Sequence, residues 1–259
     1  MFLLLVTVAL VAAANASSVT RERSIFPMGR IIGGDDAEIT TYPYQVSLQI
    51  FDRHVCGGSI IDKNYVVTAC HCVDDLLARD IIVRVGSSKI DQGGSIHQVM
   101  EVIRKEDCYV NSYGNPTNDI ALLRLKEHIH FDDTRQPIDL FKQGEVSAPG
   151  NMSVITGWGD TGKGISTQLQ TVTVPIIDKK LCNNAYKRYG GVPAGEICAG
   201  YYGIGGKDTC IGDSGGPLTI NGRLAGITSW GLGCAEADFP GVYTEIAYYR
   251  DWIKKHIQP

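Results

Sequence analysis

Short apolar runs bounded by glycine, proline and acidic residues recur along most of the 259-residue chain. In 45–50, Val46, Leu48 and Ile50 alternate with Gln45, Ser47 and Gln49, the period of a half-buried strand. Runs at 65–68, 81–85, 99–103 and 120–125 follow. The pattern breaks at 131–137, and near 131–141 the chain passes from one half to another. A second set then occupies 154–158, 169–177, 195–199, 217–220, 224–228 and 241–244. Many short strands with Gly-rich turns predict an all-β architecture, either sandwich or barrel. Near the end the period changes. Ile246, Tyr249, Ile253 and Ile257 share one face at helical spacing, and Lys254, Lys255 and His256 stand where positive charge suits a helix C-terminus. This predicts one C-terminal helix packed against the strands.

The first residues follow neither pattern. Residues 1–16 open with the apolar run Phe2-Leu3-Leu4-Leu5-Val6 and close on the small-residue site Ala14-Asn15-Ala16, which reads as a signal peptide cut after Ala16. A membrane span needs about 20 apolar residues, more than this stretch supplies. The expectation is a secreted, extracellular protein. Residues 17–30 are polar and aperiodic, leaving 31–259 as the folded domain, long enough for two small β-barrels. The whole chain carries 24 Lys and Arg against 28 Asp and Glu, a net charge of −4. Loss of residues 1–30 removes Arg21, Arg23, Arg30 and Glu22, which makes the remainder more acidic. Such a balance argues against nucleic acid or an anionic membrane as partner.

Candidate chemistry centres on Gly212-Asp213-Ser214-Gly215-Gly216-Pro217. A serine between glycines in a tight turn presents its hydroxyl outward and leaves backbone N–H groups free, which suits a nucleophile with an oxyanion hole. A Gly-rich surface turn would share that composition. Two further stretches favour the first reading: Thr68-Ala69-Cys70-His71-Cys72 supplies a base, and Asn118-Asp119-Ile120 supplies a carboxylate to orient it. With His71, Asp119 and Ser214 in that order, the chain resembles the trypsin-like serine proteases of the chymotrypsin fold, from Arg30-Ile31-Ile32-Gly33-Gly34 to Tyr243.

The resemblance implies two antiparallel six-stranded β-barrels, with the active site in the cleft between them and a C-terminal α-helix. It implies a propeptide, 17–30, cut after Arg30, so that the new Ile31 ammonium pairs with Asp213. The N–H groups of Gly212 and Ser214 would form the oxyanion hole. Asp208, six residues before Ser214, would form the floor of the primary pocket, with Ser229, Trp230, Gly231 and Gly241 as walls. A carboxylate at the end of an apolar slot calls for a cation, so the expected substrates are polypeptides with Arg or Lys before the cut. The expectation is a monomeric, digestive endopeptidase that also meets protein protease inhibitors. A catalytically silent homologue used as a binding module, or a zymogen devoted to inhibitor capture or narrow signalling cleavage, are the alternatives.

Eight cysteines allow 105 pairings. The resemblance implies Cys56–Cys72, Cys182–Cys198 and Cys210–Cys234. Cys70 stands where the family usually has alanine, and the two remaining thiols suggest a fourth bridge, Cys70–Cys108. No cofactor and no metal are expected. His128 and His130 lack further ligands nearby in sequence. The loop that binds calcium in many trypsins starts here with Ser87 in place of an acid. Asn151-Met152-Ser153 is a glycosylation sequon.

Overall fold

A computed structural model describes residues 30–257, with backbone only for Arg30. The signal peptide read at 1–16 and nearly all of the propeptide read at 17–30 lie outside the described residues.

The first half contributes β1 (Asp35–Asp36), β2 (Gln45–Ile50), β3 (Arg53–Asp62), β4 (Tyr65–Thr68), β5 (Ile81–Val85) and β6 (Ser95–Arg104). A small hairpin of β7 (Tyr109–Val110) and β8 (Pro116–Thr117) then leads into β9 (Ala121–Leu125). Six of these strands close an antiparallel barrel in the order β2-β3-β4-β9-β6-β5. The alternation at 45–50 does not leave one face half-buried: Gln45, Ser47 and Gln49 are buried along with Val46 and Leu48, and the Gln49 amide Nε2 donates to the Ile90 carbonyl at 2.8 Å inside the fold. It is β5 that alternates, with Ile81, Val83 and Val85 buried and Ile82 and Arg84 between them partly exposed.

Residues 126–151 then cross to the second half. They touch both barrels on the way: the Ile138 N–H donates to the Ile60 carbonyl, and the Phe141 N–H to that of Leu224. The second barrel consists of β10 (Met152–Gly157), β11 (Gln170–Ile177), β12 (Glu196–Ala199), β13 (Pro217–Ile220), β14 (Arg223–Trp230) and β15 (Gly241–Glu245). The ring runs β10-β11-β12-β15-β14-β13 and returns to β10. β1 pairs with the outside of β11, Asp35 opposite Thr171, so the N-terminal end of the described chain is bound to the far barrel.

One apolar core spans both rings, joining Leu48, Val67 and Leu122 of the first to Ile155, Leu218 and Tyr243 of the second. Full burial of a side chain such as Leu122 stabilises by roughly 2 kcal/mol. One buried polar pair joins the two rings: the Thr156 hydroxyl donates to Gln45 Oε1 at 2.6 Å. The C-terminal helix spans Ile246–His256 and buries Ile246, Ala247, Tyr249 and Ile253. A shorter helix, Lys179–Ala185, starts at Asp178, whose carboxylate accepts from the N–H groups of Lys180 and Leu181.

Four disulfides are present: Cys56–Cys72, Cys70–Cys108, Cys182–Cys198 and Cys210–Cys234. Cys70–Cys108 closes a loop with a sequence separation of 38. Replacing both of these cysteines with alanine should lower unfolding free energy by about 2–4 kcal/mol, the range set by loop-closure entropy. Thiol titration of the denatured, unreduced wild type should find no free thiol; two free thiols would remove the basis for that loss.

Candidate active site

His71 lies in a one-turn helix, Cys70–Val73, immediately after β4. Both its neighbours are pinned, Cys70 to Cys108 and Cys72 to Cys56, so the turn that carries the imidazole is tied on two sides. Asp119 lies just before β9 on the same barrel, with its carboxylate buried at 1% residue exposure. The His71 backbone N–H donates to Oδ1 at 2.8 Å, and the ring Nδ1–H donates to Oδ2 at 2.7 Å. This pair of bonds fixes the ring tautomer, because an ionised carboxylate can only accept. The Ser229 hydroxyl donates to the same Oδ2, and the Thr244 hydroxyl donates to the Asp119 carbonyl. Both come from the second barrel, which thereby helps to set the carboxylate of the first.

Electrostatics follow from these contacts. Burial pushes the Asp119 pKa upward, but the hydrogen bonds and charge of His71, with the Ser229 hydroxyl, outweigh it and hold the carboxyl below its ordinary value. Burial likewise works against a charged His71, yet the Asp119 hydrogen bond and charge, aided by Asp74, raise the imidazole above 6.5.

Ser214 belongs to the second barrel, three residues ahead of β13. Among the described residues its hydroxyl makes no hydrogen bond to His71, whose Nε2 lies 3.8 Å from the Cys72 sulfur. Such contacts commonly tighten only when substrate is bound. The loop before Ser214 is held firmly. Gly212 has φ +96°, and a Cβ there would approach Ile165 Cδ1 to 2.8 Å, so both backbone and space require glycine. Its carbonyl is turned away by His54, whose Nε2 donates to it at 2.9 Å while Nδ1 meets Ser47. Among the described residues the N–H groups of Gly212 and Ser214 donate to no protein acceptor. Asp213 is fully buried, accepting from the N–H groups of Gly159 (2.8 Å) and Cys210 (3.0 Å). No cation pairs with it among the described residues, and burial raises its pKa to about 7. Ile31 is also fully buried.

A cavity of about 160 Å³ opens at Ser214 and is lined by Asp208, Ser229, Trp230, Gly231 and Gly241, among others. Asp208 is 5% exposed; it accepts from the Thr209 N–H at 2.8 Å and the Ala235 N–H at 3.1 Å. Burial raises its pKa to about 6 despite those donors. A Cβ at Gly241 would come within 2.7 Å of the Asp208 carboxylate, so a side chain at that position would fill the slot. Hollows of about 390 and 570 Å³ lie elsewhere and contain none of these groups.

His128 and His130 are exposed on the first half, and His128 meets the Asn64 side chain. The set of metal-type donors that comes together among the described residues is Cys56, His71 and Cys72, whose sulfurs are already bonded to each other. Ser87, at the loop position considered for calcium, donates instead to the Gln92 carbonyl at 2.6 Å.

A family model described as Trypsin matches residues 31–253. The chain belongs to the trypsin family. It is a trypsin-like serine endopeptidase, acting on polypeptides and open to protein inhibitors of that class. Trypsin Blo t 3 of Blomia tropicalis is 42% identical over 89% of this chain and 87% of its own length. A vitellin-degrading protease of Bombyx mori is 40% identical over 93% and 90%, and a trypsin of Phaedon cochleariae is 38% identical over 90% of each. No helix among the described residues is long and apolar enough to cross a membrane.

Three contacts of this trypsin-family site have no signature in the sequence pattern: the Ser229 hydroxyl on Asp119, the His54 ring on the Gly212 carbonyl, and Glu196 against the Trp230 indole. Each partner is more than 30 residues away, so spacing alone does not reveal it. The first bond generates a test. NMR titration should place the His71 pKa above 6.5, and Asp119→Asn should lower it by removing both the charge and the matched acceptor. An unchanged value in the variant would show that Asp119 does not hold the ring.

Proposed function

We propose that this trypsin-family enzyme hydrolyses peptide bonds after Arg or Lys, and that it is secreted as a zymogen switched on by cleavage after Arg30. The observation that carries the specificity is the cavity in which Asp208 and Ser214 lie together. A buried carboxylate with two backbone donors and no cation is costly to ionise. A guanidinium or ammonium entering the slot would compensate it, and would deliver the following carbonyl to Ser214.

His71 takes the Ser214 proton as the hydroxyl attacks that carbonyl, while Asp119 holds the ring and balances its charge. The unused N–H groups of Gly212 and Ser214 receive the developing oxyanion, the kind of donor whose loss costs about 10²–10³ in turnover. His71 then protonates the leaving amine, and water hydrolyses the acyl-enzyme by the reverse steps. The pocket accepts any accessible Arg or Lys, which fits a digestive role for a single monomeric domain.

Activation rests on Asp213. Its carboxyl is wholly buried with no cation among the described residues, and Ile31, whose amine is freed by a cut after Arg30, is wholly buried too. The new ammonium would pair with Asp213 and fix the loop carrying Gly212 and Ser214. Arg30 matches the pocket's own preference, so self-activation is part of the proposal.

Matched peptides differing only in the residue before the cut test the specificity: kcat/KM should favour Arg and Lys over Phe and Leu by at least about 10², and Asp208→Asn should erase that preference. For an Arg peptide, KM should rise below about pH 6 as Asp208 takes up its proton. Separately, kcat/KM should fall about tenfold per pH unit once the pH is below the raised His71 pKa. Preference for Phe or Leu would mean that Asp208 does not meet the substrate. Arg30→Gln protein exposed to trypsin should remain inactive; full activity would refute the zymogen.

A further inference from the structure

Glu196, on β12, is a buried acid with no part in the chemistry above. It is 1% exposed and lies opposite Thr244 of β15. Its Oε2 accepts from the indole Nε1–H of Trp230 at 3.2 Å, and its Oε1 has no partner among the described residues. Burial, the largest influence, raises its pKa to about 8, and the negative charge of Asp119 adds to that rise. Lys179 and the Trp230 hydrogen bond pull the other way, and Tyr249 is the further titratable group facing it. The group therefore holds its proton more tightly than an ordinary carboxyl, and it stands under a wall of the substrate cavity.

A core that needed only volume at this position would use an apolar side chain, because an oxygen without a partner is costly to bury. What the carboxyl supplies is an acceptor for the one polar atom of the Trp230 ring. The rest of that ring is held by packing. It meets Tyr186 edge to face, with centroids 4.8 Å apart, and the Tyr186 hydroxyl is anchored on the Pro240 carbonyl at 2.7 Å. Trp230 is the last residue of β14, just past an irregularity in its pairing with β15, so its backbone alone restrains it less than a mid-strand residue. The indole is thus located by packing on the Tyr186 cluster and by one hydrogen bond.

We propose that Glu196 is a positioning residue for substrate binding: its carboxyl holds the Trp230 indole at the angle that forms the wall of the Asp208 cavity. The proposal rests on the reading of that cavity as the primary specificity pocket. It concerns binding of the substrate side chain, not the proton transfers at His71.

Steady-state kinetics of the cleaved enzyme test it, using a peptide with whichever residue before the cut the wild type prefers. Glu196→Leu should raise KM about three- to tenfold, the worth of one net hydrogen bond, and Trp230→Phe, which also trims the wall, by at least as much, with kcat for Glu196→Leu changed less than about twofold. Glu196→Gln, which keeps an acceptor for the indole, should stay within about twofold of wild type in KM. The double variant Glu196→Leu/Trp230→Phe should bind no worse than Trp230→Phe alone, as expected when two groups act through one contact. A wild-type KM in Glu196→Leu overturns the proposal. So do effects that multiply in the double variant, which would make the carboxyl a core group independent of Trp230. Should Glu196→Leu not fold, Trp230→Phe decides alone, a wild-type KM refuting the role of the bond. A wild type that prefers Phe would strike the Arg and Lys reading while leaving the Glu196 comparison intact.

Discussion

Four carboxyl groups lie buried in and around the candidate site, and the burial of charge there is the constraint that organises the rest. Asp119, Asp208, Asp213 and Glu196 are each at most 5% exposed. Removing an ion from water costs far more than any one hydrogen bond returns, so each group needs its own compensation. Asp119 has it within the fold, from His71 and Ser229. Glu196 has its pKa raised by burial and serves as an acceptor for the Trp230 indole. Asp208 and Asp213 have two backbone donors each and no cation among the described residues, and both are raised toward neutrality. In the functional reading, substrate completes the first and the freed Ile31 amine completes the second.

The scaffold keeps these groups at fixed separations. Asp119 and His71 come from the first barrel, the other three carboxyls from the second, and hydroxyls of Ser229 and Thr244 bridge the seam. β1 and the 126–151 crossing bind the halves together, so the cleft between them has a set width. Two disulfides grip the turn carrying His71 from opposite sides. One apolar core joins the two rings, and polar contacts cross between them as well.

Much of this was legible in the sequence because local pattern and local motif agree. The strands at 45–50, 65–68, 81–85 and 217–220 follow their apolar runs to the residue, and the C-terminal helix follows its buried face. β3 was not legible. Its centre, Cys56-Gly57-Gly58, has the composition of a turn, and the tertiary reason for the glycines, the Gly57 N–H bonded to the Ser214 carbonyl, lies in the other barrel. The helix Lys179–Ala185 escaped notice because seven residues are too few for a clear period, although its Asp178 cap is a local signal. The family motifs point to His71, Asp119, Ser214 and Asp208, yet they offer Ser229 only as a pocket wall, and its bond to Asp119 emerges only in three dimensions. The same holds for His54 and Glu196, whose partners lie 158 and 34 residues away.

Under the proposed activation, Asp213 is a buried carboxyl that gains its cation when the chain is cut after Arg30. Unfolding free energy against pH, compared between the intact chain and protein cut after Arg30, tests it most directly. In the intact chain the Asp213 pKa is raised from 3.8 to about 7. The associated stability is therefore complete below the unfolded value and is lost as pH rises toward 7. Pairing with the Ile31 ammonium removes that loss. The cut protein should be more stable at pH 7 by about 3–5 kcal/mol, the scale of a buried ion pair, and Asp213→Asn should abolish the difference. Equal stability of the two forms across that range would contradict the account.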